Sequence, residues 1–362
     1  MWTSTTTLPE IVMKLRAARR VLVLTHLKPD GDAVGSSIAL VRTLNQPGPW
    51  NNGGTPRAKA WYYGPPPPWI EDIAGTTPHA VLGRHDVPGA EQPEEPDVIA
   101  VLDTGSWTQL EPVADWLGPR SQRAIIVDHH AQGDPELAPL RYINVQSAAV
   151  CEIVAELCRQ LLGVDGIRDL PKDIATPLYL GLATDTGWFR HSNVTPGVMH
   201  TAADLLAAGA EHVRLYSLTE QNSRARLALI GRALASIELH CGDRLALMCV
   251  TEQDFRETGA TPGDAGGLTD FTQSLPSVQV SAFFSAASPS EFGLADDGKP
   301  VTKISLRSKS FEPAVDVNIV AKALGGGGHV RAAGTRMQAT IREAKERIIE
   351  LVSAQFAAAT KG

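Results

Sequence analysis

Cysteine is scarce in this chain, with four residues among 362, at Cys151, Cys158, Cys241 and Cys249. None stands in the C-x-x-C spacing of zinc or redox sites, so neither a disulfide framework nor thiolate metal chemistry is expected, and the four read as buried thiols. Long apolar runs are missing as well. No stretch approaches the roughly 20 residues needed to span a membrane, and Thr3 to Thr7 ahead of Leu8-Pro9 lack the charged and apolar regions of a signal peptide. A cytoplasmic protein that does not engage membranes is the expectation. Positive charge is in deficit, with a formal net charge of -7. That balance argues against a general basic surface for long nucleic acid, while a local basic pocket stays compatible with it. The length exceeds one typical core, so two domains are expected.

What is present centres on His26-Leu27-Lys28-Pro29-Asp30-Gly31-Asp32. It follows the apolar run Val21 to Leu24 and precedes a helical pattern from about Ala33 to Leu44. Strand, Pro/Gly turn, then helix is the grammar of an α/β domain, whose ligands gather beyond the carboxyl ends of its strands. His26 and Asp30 can converge across the turn if Gly31 adopts a backbone geometry that other residues resist, with Asp32 aimed at a neighbouring point. Such a loop suits hard divalent cations. As an isolated heptapeptide it could equally be an ordinary turn; the rest of the chain decides against that.

An amphipathic helix is expected over Leu8 to Arg20, a surface loop over Gln46 to Pro56, and a strand over Lys59 to Tyr63 ended by Pro65 to Pro68. A looser stretch, Gly83 to Pro96, leads to Val98 to Leu102, an apolar run closed by Asp103-Thr104-Gly105-Ser106. The arrangement returns at Ala124 to Val127, closed by Asp128-His129-His130. Three strands thus each deliver acid or imidazole at one end, and in a parallel sheet those ends lie side by side. Helices are expected over Ala148 to Leu162 and Asp173 to Thr184. The latter runs into Asp185, a carboxylate near a helix C-terminus that opposes the macrodipole and calls for a compensating cation. Glu220 to Leu239 reads as one long amphipathic helix.

Beyond it, strands are expected over Leu245 to Val250, Val278 to Phe284 and Val301 to Arg307. Helices are expected near Asp264 to Gln273, Val315 to Leu324 and Thr340 to Phe356. Gly325-Gly326-Gly327-Gly328-His329 is too costly in backbone entropy to be idle, and the small residues Ala332-Ala333-Gly334 downstream favour a loop held against a ligand. Backbone N–H groups there can form a nest for an anion, with His329 and Arg307 as nearby donors and phosphate as the natural guest. The fold class is α/β in two domains: an N-terminal parallel sheet with helices on both faces over 1–209, a helical connection over 210–240, and a smaller α/β domain over 241–362.

Taken together, these motifs resemble the DHH/DHHA1 family of phosphoesterases, most closely its NrnA type. The name motif is Asp128-His129-His130; His26 to Asp32 stands as the first motif, Asp103 as the second, Asp185 as the fourth, and Gly325 to His329 as the C-terminal glycine motif. The resemblance spans nearly the whole chain. It implies hydrolysis of very short RNAs and of 3'-phosphoadenosine 5'-phosphate (pAp) at a site holding two divalent cations, usually manganese, with magnesium as the alternative. Carried over, His26 and Asp30 would hold the first metal, Asp32, His129 and Asp185 the second, and Asp103 would bridge them. Asp103, Asp128, His129 and His130 form the implied catalytic set, with His130 facing the substrate phosphate and Asp128 orienting the histidines. The metals would share and acidify a water for in-line attack. Arg190 and Arg307, with Gly326, Gly327, Gly328 and His329, would clamp the substrate between the domains.

Relatives often carry an arginine after Ser106, where this chain has Trp107-Thr108-Gln109, and the insert Gln46 to Arg57 is unusual. Both bear on substrate preference. A RecJ-like exonuclease on long single-stranded DNA is disfavoured by the compact length and acidic balance. A linear or cyclic dinucleotide phosphodiesterase and a non-catalytic nucleotide-binding module complete the alternatives, and a homodimer is compatible with everything above.

Overall fold

The computed structural model describes residues 2–48, 56–83, 95–286, 299–309 and 314–359. The expected loop over Gln46 to Pro56, the Gln46 to Arg57 insert and the Gly83 to Pro96 stretch lie largely outside them. Two compact units emerge, Met1–Glu220 and Gln221–Gly362.

The first unit opens with α1 (Leu8–Ala17), β1 (Val21–Leu24), α2 (Gly31–Asn45), β2 (Ala58–Tyr63), α3 (Ile70–Ala74), β3 (His79–Leu82) and β4 (Val98–Leu102). It continues with α4 (Ala114–Leu117), β5 (Ala124–Asp128), β6 (Leu140–Ile143), α5 (Val150–Leu162), α6 (Lys172–Asp185), α7 (Pro196–Ala207) and α8 (His212–Glu220). Six parallel strands lie in the order β3-β2-β1-β4-β5-β6. Both faces are buried, which is why the strands read as near-continuous apolar runs. Val21, Val23, Ala100, Leu102 and Tyr62 face α1, α2, α5 and α6. Leu22, Leu24, Trp61, Ile99 and Val101 face the short elements around Leu110, Val113 and Leu117.

The second unit comprises α9 (Arg224–Ala235), β7 (Glu238–His240), β8 (Leu245–Val250), α10 (Glu252–Thr258), α11 (Thr269–Gln273) and β9 (Val280–Ala286). Then come β10 (Thr302–Ser308), α12 (Val317–Lys322), β11 (Gly327–His329), β12 (Ala332–Met337) and α13 (Ile341–Ala359). Its sheet, in the order β11-β12-β10-β9-β8-β7, is mixed, with β8 and β9 parallel and the other neighbours antiparallel. One face packs on α12 and α13 through Leu247, Phe284, Ile304, Val320 and Val352. The helix expected over Glu220 to Leu239 is instead interrupted. The Ser223 side chain accepts from the Arg226 N–H at 3.0 Å and so starts a new helix, and Glu238–His240 pairs as a strand. No helix among the described residues is long and apolar enough to cross a membrane.

The first turn of α2 is placed by its packing against α6. A Cβ on Gly31 would stand 2.2 Å from Thr184 Oγ1, one on Gly35 2.3 Å from the Pro177 carbonyl, and one on Gly181 2.3 Å from Cys151 Sγ. Missing side chains therefore let two antiparallel helices touch backbone to backbone, which lays the first turn of α2 beside the last turn of α6. Pro177 has no N–H to return to the Asp173 carbonyl; Arg42 of α2 donates to that carbonyl instead, and also to those of Ile73 and Ala74. Gly35→Ala should lower stability in urea denaturation by roughly 1–3 kcal/mol, the range for overpacking a tight core, because the obstacle is backbone and cannot swing away. An unchanged midpoint would show that the helices are not held at this distance.

Candidate metal centre

In the strand order 3-2-1-4-5-6 the chain reverses its winding direction between β1 and β4, and the crevice beyond those two carboxyl ends is where such sheets take their ligands. His26 follows β1 and Asp103 follows β4 at that point, and Asp128 closes the neighbouring β5. The turn after β1 bends at Lys28, whose φ is +58°, and is tied by the Leu27 N–H to the Gln109 carbonyl and the Lys28 N–H to the Tyr63 carbonyl. Gly31 was expected to supply the unusual backbone. It does not: it opens α2 with an ordinary φ, and what it requires is the room against Thr184. Asp103 is itself left-handed, at φ +62°, a conformation rare enough outside glycine to mark a position under constraint.

The structure brings the seven strand-end residues and Asp185 together. His26 Nε2 lies 3.4 Å from Asp103 Oδ2 and 3.6 Å from Asp30 Oδ1. His129 Nε2 lies 3.4 Å from Asp103 Oδ1, 3.6 Å from Asp185 Oδ2 and 3.9 Å from Asp32 Oδ2. Asp103 thus turns one oxygen to each imidazole. Around it, His26, Asp30 and Asp103 form one cluster and Asp32, His129 and Asp185 another, the donor atoms in each lying within 4.8 Å of one another; Asp103, His129 and His130 form a third.

Four of the donors, His26, His129, Asp30 and Asp32, are held from behind. His26 Nδ1 donates to the Leu27 carbonyl at 3.0 Å and His129 Nδ1 to the Ser147 carbonyl at 3.2 Å, which orients both rings and turns Nε2 toward the carboxylates. Asp30 caps α2, its Oδ1 accepting from the Asp32 and Ala33 N–H groups. The 1%-exposed Asp32 accepts from the Val150 and Cys151 N–H groups at 2.6 and 2.9 Å, so the positive end of α5 supports it. The fully buried Asp128 stands one step back. Its Oδ1 accepts from the N–H groups of His129 and His130 and from His130 Nδ1 at 2.8 Å, directing Nε2 of the 55%-exposed His130 outward.

The electrostatics ask for positive charge. Burial, followed by repulsion from Asp103 and Asp185, holds the Asp32 carboxyl well above its usual range. Asp185 is pushed up to about 6 by burial, with Asp103 and Asp30 adding to what His129 opposes. Burial alone would lower the two histidines. It is outweighed by Asp103 and Asp30 at His26, raised to about 11, and by Asp103, Asp32 and Asp185 at His129, raised to about 10. Protons are thus drawn to the very nitrogens that a divalent cation would take, and a donor set of carboxylate oxygens and imidazoles without thiolate suits a hard or borderline ion. The residues present therefore fit a divalent metal.

Two known families match the chain in turn. The model of the DHH family, N-terminal domain, matches residues 20–182, and that of the DHHA1 domain residues 244–358. The chain belongs to the DHH/DHHA1 family. It is 29% identical, over 92% of its length and 89% of the relative's, to the bifunctional oligoribonuclease and PAP phosphatase NrnA of Thermus thermophilus. It is 22% identical to the protein of the same name in Bacillus subtilis, over 90% of this chain and 91% of that one. An exopolyphosphatase-related protein from Bacteroides fragilis shares its fold, with a TM-score of 0.77 at 22% identity and 95% of both chains covered.

In the DHHA1 unit the glycine run differs from the expected loop. Gly325 turns at φ +76°, but Gly327–His329 pairs with β12, and a Cβ on Gly326 or Gly328 would strike the Gly334 or Ala332 carbonyl at 2.2 or 2.5 Å. Close strand approach accounts for these two glycines. His329 pairs with Ala332 and Ala332 with Arg307, so both side chains share a row on one face of the sheet, and both are exposed. Arg190, also exposed, lies in the turn after α6 with Nε on the Gly187 carbonyl at 2.7 Å. Sequence patterning missed the α5 amides and the Ser147 carbonyl, which carry no motif because backbone groups leave no trace in residue type. It also missed Asp134, which bonds the Trp107 N–H.

The bond to Asp128, ahead of the opposing effect of burial, raises the His130 pKa above its ordinary value. Asp128→Asn keeps the oxygen but removes its charge, so in metal-free protein the His130 pKa, followed by NMR, should fall. A folded-state pKa above the unfolded one stabilises fully below the unfolded value and fades as pH rises through the folded value. The stability gap between wild type and Asp128→Asn should therefore narrow from mildly acidic to alkaline buffer. A gap that stays constant would remove Asp128 as the partner of His130.

Proposed function

We propose that this chain is a divalent-metal-dependent phosphoesterase that hydrolyses short oligonucleotides and pAp. The observation that carries the proposal is the pair of His/Asp clusters meeting at Asp103 beyond the switch point of the sheet. The names of the Thermus and Bacillus relatives supply the substrate class. In this assignment His26 and Asp30 would hold one cation, Asp32, His129 and Asp185 the other, and Asp103 would serve both. Manganese, with magnesium as the alternative, suits the oxygen and imidazole donors. Cations held there would supply Lewis acidity toward the phosphoryl group and the attacking water.

The chain's own residues do the rest. Asp103, placed by β4 with one oxygen toward each imidazole, keeps the two ligand sets at a shared point. Asp128 holds the His130 ring with Nε2 outward, where it can donate to a phosphate oxygen. Arg190 adds positive charge in the first unit, and Arg307, Gly326, Gly327, Gly328 and His329 bind the remainder of the substrate from the DHHA1 unit. In this division 1–209 is catalytic, 241–362 binds substrate, and 210–240 connects them.

Removing the bridging carboxylate leaves the two ligand sets without a common anion. Asp103→Ala should fold normally by circular dichroism yet bind manganese poorly in equilibrium dialysis and turn over at least about a hundredfold more slowly, the upper end of the loss seen for outer partners of metal sites. Retention of normal manganese-dependent turnover would sink the two-metal assignment.

Substrate length is the second test. Long strands reward proteins that neutralise many phosphates and release their counterions, and a chain of net charge -7 is poorly placed to do so. Initial rates with manganese should be highest on dinucleotides to short oligomers and measurable on pAp. Faster degradation of a long RNA or DNA than of a dinucleotide at equal molar concentration would favour a RecJ-like exonuclease.

A further inference from the structure

Trp2 belongs to no motif, yet its indole lies against both loops that carry the centre. Nε1 donates to the His130 carbonyl at 3.0 Å. The ring fills a slot that exists only because two residues lack side chains: a Cβ on Gly105 would stand 1.8 Å from the indole, and one on Gly133 2.6 Å. Gly105 follows Asp103 by two residues on the loop after β4, and Gly133 follows His130 by three on the loop after β5. The segment is anchored along the edge strand β6. The Thr5 N–H donates to the Arg141 carbonyl at 2.8 Å, Thr5 Oγ1 to the Pro139 carbonyl at 2.8 Å, and the Ile143 N–H to Ser4 Oγ at 2.8 Å.

Asp134 braces the same two loops from within, its N–H donating to the Gly105 carbonyl at 2.7 Å and its carboxylate accepting from the Trp107 N–H at 2.7 Å. The backbone of His130 is consequently fixed on both sides. Its N–H is held by Asp128 and its carbonyl by Trp2, so the only freedom left to its exposed ring is rotation, which the Nδ1 bond to Asp128 removes. Without Trp2 the slot between two glycines would be an unfilled gap beside a loop with one brace fewer.

We infer that Trp2 is a positioning residue that locks the loop after β4 to the loop after β5 and, through the His130 carbonyl, sets the imidazole aimed at the substrate phosphate. The inference rests on the proposed phosphoesterase activity for its catalytic consequence, but the lock itself can be read without substrate or metal. Trp2→Phe fills most of the slot and lacks the N–H; Trp2→Ala empties it.

In metal-free protein, hydrogen exchange of the amides in 104–107 and 130–134 should quicken in Trp2→Ala while that of β1 stays unchanged. The His130 ring cross-peak should shift or broaden in both variants. With manganese and a dinucleotide, kcat should fall about tenfold in Trp2→Ala and less in Trp2→Phe, with KM changed less than about threefold, as expected for a misplaced group rather than a lost contact. Gly105→Ala should lower kcat in the wild type, where it collides with the indole, and do little further harm in the Trp2→Ala background. Unchanged exchange and an unchanged His130 signal would overturn the inference. So would a loss confined to stability, with kcat and KM intact and the two substitutions additive. Wild-type protein inactive on every short substrate, with the exchange and ring effects present, would count against the phosphoesterase proposal and leave the lock supported.

Discussion

Asp30, Asp32, Asp103 and Asp185 converge on one site, and their mutual repulsion is the constraint on which the rest of the first unit depends. Asp32 and Asp103 are 1% and 4% exposed, so water screens little of their charge. Each piece of surrounding architecture answers that repulsion. The N-terminus of α5 lends two N–H groups to Asp32, the imidazoles of His26 and His129 stand between carboxylates, and Asp30 uses one oxygen to cap α2. None of these suffices to cancel the charge, which is why the histidines are drawn toward protonation and why the same geometry suits divalent cations. Stability and function oppose each other here. A site that satisfied its own charges would have no need of a metal.

Bringing those aspartates together depends in turn on packing that is remote from chemistry. Asp32 lies in the first turn of α2 and Asp185 in the last turn of α6, separated by more than a hundred residues of chain. The close approach of these antiparallel helices at Gly31, Gly35 and Gly181 sets the two side by side. Arg42 supports the arrangement by taking the carbonyl that Pro177 leaves free, so one guanidinium ties α2 to α6 and to the end of α3. The geometry of the candidate metal centre is thus an outcome of helix approach distance, and Gly35, Pro177 and Arg42, none of them in its clusters, are part of its cause.

The DHHA1 unit is organised on a different principle. Its mixed sheet is thickly covered on one face, while β10, β12 and β11 present Arg307, Ala332 and His329 in one row with small residues between. Small side chains beside exposed cationic or imidazole groups make a surface that a planar or phosphorylated ligand can approach closely, which suits a binding role without catalytic machinery. The two units thus differ in what they present: carboxylates and imidazoles converge in the first, while an arginine and an imidazole share one row of the second.

Much of this was determined by the sequence alone. An apolar strand followed at once by an acid or imidazole is a local pattern, so His26, Asp103 and the Asp128-His129-His130 run could be placed at strand ends without a structure, and a parallel sheet followed from the strand-turn-helix opening over Val21 to Leu44. The helix after that turn was equally local: expected from about Ala33, it begins at Gly31, and its cap, Asp30, acts only on the next three residues. What only the tertiary structure decided were relations between segments far apart in the chain. Gly31 is a glycine because Thr184 lies against it and not because its backbone is unusual; Gly105 and Gly133 are glycines because Trp2 lies between them; and Gly326 and Gly328 let β11 pair with β12. The break between α8 and α9 went unread because helical periodicity continues across it, and one capping serine overrides the pattern. In each case the residue type signalled that something was required, and the partner supplying the reason lay elsewhere in the fold, where periodicity and spacing carry no information.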